Sequence, residues 1–192
     1  MIFQPDYTRF EASYLDGETQ LLRTVLVGDL ETPVSAFLKL TAHDGRNAFL
    51  LESVEGGAVR GRYSIIGLKP DIIWRCRGSE AEINRQALID RRHFEPCGQP
   101  PLPALRALLA ESAIPFDAGL PPMANGVFGY LGYDMVRHME RLGEPNPDAL
   151  GVPDAIMVRP TVMVIFDSVK DEITLITPVS YTHLTLPTIY SV

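Results

Sequence analysis

The sequence predicts an α+β fold built on antiparallel sheets with packed helices. Short apolar and alternating runs cluster between residues 48 and 77 and again between 161 and 177. The connections inside each cluster are too short for a helical crossover, so neighbouring runs pair antiparallel. Two helical stretches interrupt the strands without the regular alternation of a parallel sheet. A chain of 192 residues, 46% hydrophobic and 21% charged, has a globular composition. It is long enough to bury a core without disulfide or metal support.

The first helix is expected over 33–42. Thr32 offers a side-chain acceptor to a free backbone N–H, and Pro33 takes the first helical position, where its missing N–H costs nothing. Val34, Phe37, Leu38 and Thr41 recur at helical spacing, and His43-Asp44-Gly45 ends the run. Ala48 to Leu51 is a short apolar strand closed by Glu52-Ser53 and the Gly56-Gly57 turn. Two further strands are expected over 63–68 and 71–77, the second closed by a Gly78-Ser79 hairpin. There Ile72, Trp74 and Cys76 alternate with Ile73, Arg75 and Arg77, which predicts one packed and one solvated face. A second helix follows the loop 96–103, with Leu102, Leu105, Leu108 and Leu109 on one face and Ile114-Pro115 closing it. Thr161 to Phe166 and Glu172 to Thr177 are the last strands.

With 17 basic and 24 acidic side chains the formal charge is −7, which argues against a nucleic-acid partner. No apolar run approaches the ~20 residues that span a bilayer, so no membrane partner is expected. Cys76 and Cys97 are the only cysteines, too few for a secreted disulfide framework. A cytoplasmic location is the expectation, with Cys76 a buried free thiol. No Asp, Glu, Lys or Arg follows Glu172. Residues 179–192, opening on Val179-Ser180-Tyr181-Thr182-His183-Leu184, resemble the in-frame translation of a sequencing adapter. They are set aside as a non-native tail behind a native domain of residues 1–178.

No catalytic set stands out. His43, His93, His138 and His183 lack partners at metal-ligand spacing, and neither a nucleophile elbow nor a phosphate loop is present. Gly126, Gly129 and Gly132 fall three apart, a spacing read as close backbone packing. More chemistry is concentrated where Leu51-Glu52-Ser53 ends a buried strand and Arg60 and Arg62 return beside it. Glu52 can accept from an ammonium, and Ser53 can bond a carboxylate or an amine. These groups suit a small zwitterion such as an amino acid, and they are also ordinary turn composition.

Leu50-Leu51-Glu52-Ser53, Gly61-Arg62-Tyr63-Ser64 with Ile66-Gly67, the block Gly126 to Arg137 and the stretch Pro153 to Asp167 together resemble the N-terminal region of anthranilate synthase component I. The blocks fall in that family's order across roughly residues 5 to 178. The resemblance implies a lyase that turns chorismate and ammonia, or glutamine through a separate amidotransferase subunit (component II), into anthranilate and pyruvate with Mg²⁺. It also implies that Leu51, Glu52, Ser53 and Arg62 belong to half of an L-tryptophan feedback site. The catalytic and metal-binding carboxylates would lie in a C-terminal chorismate-binding domain outside this chain, which predicts a chain inactive alone. Aminodeoxychorismate synthase component I shares the architecture, although Glu52 favours the first family. A free-standing amino-acid-binding module and a purely structural α+β domain are the other readings.

Overall fold

The computed structural model describes residues 2–53, 61–114, 119–144 and 147–179. Its spine is a pair of long antiparallel strands, β4 (Tyr63–Arg77) and β8 (Ala155–Asp167). The remaining strands are β1 (Phe3–Gln4), β2 (Gln20–Val27), β3 (Phe49–Glu52), β5 (Glu80–Asn84), β6 (Glu95–Pro96), β7 (Phe128–Leu131) and β9 (Glu172–Val179). They form a sheet in the order β1-β2-β9-β8-β4-β5-β6, with β3 on the first half of β4 and β7 on the first half of β8. Because the spine strands run in opposite directions, one end of the sheet carries β1, β2, β9 and β3, and the other carries β5, β6 and β7. Every pairing is antiparallel. With three α-helices among the described residues, α1 (Tyr7–Leu15), α2 (Pro33–Thr41) and α3 (Pro101–Glu111), this is the expected α+β class.

The two strands expected over 63–68 and 71–77 are one continuous strand, a correction with a local cause. Lys69 adopts a left-handed φ of 49°, and the register shifts between Pro70, which faces Pro160, and Ile72, which faces Arg159. Neither proline donates a ladder hydrogen bond, so the sheet accommodates both at a bulge rather than breaking there. The hairpin at Gly78-Ser79 forms as expected, with Gly78 at φ 52°. The solvated face expected for Ile73, Arg75 and Arg77 begins only at Arg75. Ile73 is buried among Ala87, Val158 and the partly buried Phe94.

At the N-terminus of α2, the Thr32 hydroxyl accepts the Ser35 N–H at 3.1 Å and the Ser35 hydroxyl accepts the Thr32 N–H at 3.0 Å. Phe37 packs toward Ile66, Val164 and Phe166, whereas Leu38 of the expected apolar face is exposed. On the other half, α3 lays Ala104, Leu105 and Leu108 on Ile72, Trp74 and Cys76. The glycine-spaced run needs close approach at two of its three positions. A Cβ on Gly129 would run into the Ile156 carbonyl of β8, and one on Gly132 would lie 2.7 Å from the Asp154 carbonyl; Gly126 has open space around it. Val179, set aside with the tail, is the last residue of β9, opposite Gln20. The rest of the tail, 180–192, lies outside the described residues.

Cys76 is a free, fully buried thiol, and burial pushes its pKa up to about 11. The thiolate is the reactive form. A thiol reagent at pH 8 is therefore expected to leave Cys76 untouched in the folded chain and to modify it on unfolding in guanidinium. Rapid modification of Cys76 in the native chain, read by mass spectrometry, would contradict this burial.

Candidate functional site

The strand end singled out in the sequence lies at the β3 side of the sheet. In register, Leu50 faces Ile66, Leu51 faces Ile65 and Glu52 faces Ser64. Strand alternation therefore sends Leu51 to the face of Ile65 and Glu52 to the face of Leu50 and Ile66. Leu51 is 48% exposed beside the fully buried Ile65. Ser53 follows the strand end and lies against Gly61, where any Cβ on the glycine would collide with the serine side chain and carbonyl. The structure thus brings Ser53 next to the Gly61-Arg62 step and places Leu51 and Glu52 on opposite faces. Residues 54–60, including Arg60 and the Gly56-Gly57 turn, lie outside the described residues.

Arg62 stands one residue before β4, not on it. Its Nε donates to Asp167 Oδ1 at 3.0 Å and its Nη2 to Oδ2 at 2.8 Å, a paired fork. The guanidinium also sits 4.9 Å over the Tyr63 ring. Asp167 accepts two more N–H groups, from Val169 at 3.1 Å and Lys170 at 3.3 Å. The hydrogen bonds from Arg62, ahead of those from the backbone, hold the Asp167 carboxyl below the usual carboxylate range against the opposing effect of burial. The same partner raises Arg62 above its ordinary value.

Three residues here, Asp167, Tyr63 and Arg23, were not found from the sequence. Tyr63 faces Asp167 and shares the alternation of Ile65 and Leu51, so its ring stands on the Leu51 face. Tyr63, Val25, Leu120, Ile165 and Asp167 line a groove of about 380 Å³ on that face. At its far side Arg23 donates to Gln4 Oε1 at 2.9 Å and to the Gly119 carbonyl. The alternation of Tyr63 with Ile65 was the available signal for the tyrosine; nothing local marks Arg23. Among the described residues no three His, Cys, Asp or Glu side chains gather to hold a metal ion. The resemblance places the Mg²⁺-binding carboxylates outside this chain.

No family model matches the chain. A curated relative, anthranilate synthase component 1 of Cereibacter sphaeroides, is 51% identical over 172 residues, 90% of this chain and 34% of the relative. Over nine-tenths of its length this chain is similar in sequence to anthranilate synthase component I. The Thermus thermophilus anthranilate synthase component 1 is 39% identical over 81% of this chain and 31% of its own length. That of Synechocystis is 36% identical over 90% of this chain and 33% of its own length. The chain thus spans about a third of the length of these relatives. A crystal structure of anthranilate synthase component I from Streptococcus pneumoniae superposes with a TM-score of 0.54, covering 84% of this chain and 32% of that one at 20% identity. That likeness shows a shared fold.

Proposed function

We propose that this chain is the regulatory part of an anthranilate synthase component I, the enzyme that converts chorismate and ammonia to anthranilate and pyruvate. Its single strongest support is the 51% identity over 90% of the chain to a protein of that name. In the full-length enzyme, glutamine would supply the ammonia through a component II amidotransferase, and Mg²⁺ would be held outside this chain. L-tryptophan is the proposed effector, with Leu51, Ser53 and Arg62 contributing half of its site and Glu52 reaching it from the strand's other face. Binding there favours a state with lower chorismate affinity, so effector and substrate oppose each other across a two-state equilibrium.

The cytoplasm is the proposed location; the relatives named above are bacterial, and no helix among the described residues is long and apolar enough to cross a membrane.

Incubated with chorismate, ammonia and Mg²⁺, the isolated chain is expected to give no anthranilate fluorescence. Calorimetry with L-tryptophan should give little or no heat, since half of the site is absent. The same domain within the full-length enzyme should support turnover that L-tryptophan inhibits. Turnover by the isolated chain would overturn the division of labour, and a full-length enzyme indifferent to tryptophan would overturn the effector site.

A further inference from the structure

We propose that Asp167 is the positioning residue of the effector site: it aims the Arg62 guanidinium so that the remaining N–H groups meet an amino-acid carboxylate. The proposal rests on the reading of Leu51 to Ser53 as that site. Asp167 is placed without help from Arg62. It ends β8, faces Glu172 of β9 across the ladder, and takes the Val169 and Lys170 N–H groups inside the intervening turn. Its side chain is 10% exposed, against 44% for Arg62. The buried partner is therefore the anchor and the exposed one the arm.

Asp167 grips Arg62 through Nε and Nη2, and the guanidinium has further N–H groups beyond those two. The Tyr63 ring lies 4.9 Å from the guanidinium carbon, within cation–π range. The backbone is held as well, since Ser168 donates to the Arg62 carbonyl from its N–H at 2.9 Å and from its hydroxyl at 3.1 Å. Arg62 is thus oriented before any ligand arrives, beside the Gly61 contact with Ser53. A planar fork held in place suits a carboxylate, and holding it in advance removes the ordering cost from binding. Without Asp167 the long side chain would sample many rotamers over the same half-exposed surface.

The test is calorimetric titration of L-tryptophan into the full-length enzyme and its variants. Asp167→Asn keeps an acceptor for the turn N–H groups while removing the charged grip on Arg62. It is expected to weaken tryptophan about tenfold. Arg62→Ala should weaken it at least as much, and combining the two should add nothing further, the signature of residues acting as one unit. Arg62→Lys retains the charge without the fork and should bind as poorly as Asp167→Asn; being half-exposed, this position tests the idea whether or not the Asp167 variant folds. Arg62→Lys binding like wild type would overturn the proposal. So would losses that simply add, or tighter binding in Asp167→Asn, which would make the aspartate a competitor for the arginine. A wild-type enzyme that takes up no tryptophan would overturn the effector reading itself, and the positioning role with it.

Discussion

Replacing Ser53 by phenylalanine in the full-length enzyme is expected to raise the L-tryptophan concentration for half-inhibition by about 100-fold or more. Gly61 closes one side of Ser53 so tightly that even a methyl group there would collide. A phenyl ring has no room toward that backbone and must swing out over the face carrying Leu51 and Tyr63, where the effector is proposed to lie. It also removes the hydroxyl that would bond the ligand. Ser53→Ala isolates the second effect and should raise the half-inhibitory concentration about tenfold, in line with one lost hydrogen bond to a charged group. The readout is the ratio of inhibited to uninhibited anthranilate production across a tryptophan titration. An unchanged half-inhibitory concentration in Ser53→Phe would remove Ser53 from the site.

The largest effect on stability is expected at Asp71. Its carboxylate accepts Arg159 Nε at 2.9 Å and Nη2 at 2.6 Å, just beyond the bulge in β4. Both side chains are nearly buried, at 11% and 12% exposure. Arg159 also lies 3.7 Å from Glu111, and Glu111 takes a fork from Arg85, so the pair ties the C-terminal turn of α3 to the spine. Asp71→Ala leaves a buried guanidinium without its main counter-charge, and removing one partner of such a pair costs about 3–5 kcal/mol. Urea unfolding should show that loss as a midpoint lowered by about 1–2 M, given the usual dependence on denaturant. The paired change Asp71→Leu with Arg159→Met removes both charges and should recover much of the loss. A single-variant cost below about 1 kcal/mol would mean the pair behaves like an exposed one.

What could be read from the sequence divides along a physical line. The start of α2 was legible because Thr32 and Pro33 act within one turn, and the 78–79 hairpin because a two-residue connection sets its own geometry. Helix α1 was not, since six of its nine residues are exposed and leave little apolar period to detect. Strand β7 was missed because three of its four residues are exposed and its place depends on Gly129 lying against Ile156 of β8. Pro70 reads locally as a break, and only its facing Pro160 shows why the strand continues. At the site, the block Leu51 to Ser53 was visible as chemistry left over at a strand end. Tyr63 was passed over for its charged neighbour. Asp167 lies 105 positions from the arginine it holds, beyond what any local pattern can reveal.

The same separation governs how the chain is assembled. Strand β4 is complete at Arg77, yet its main partner begins only at Ala155. On a ribosome delivering roughly 5–20 residues per second, β4 waits several seconds for that partner. Meanwhile a strand rich in Ile, with a fully buried Trp74 in the final fold, has the short β3 and β5 paired along one edge and its other edge open. Such long-range pairing is intrinsically slow, and an unpaired apolar strand is a template for association between chains. The exposed Lys69 and the solvated Arg75 and Arg77 interrupt that apolar run, the gatekeeping that keeps a waiting strand soluble. The spine that orders the finished domain is therefore also the stage of its synthesis most exposed to misassembly.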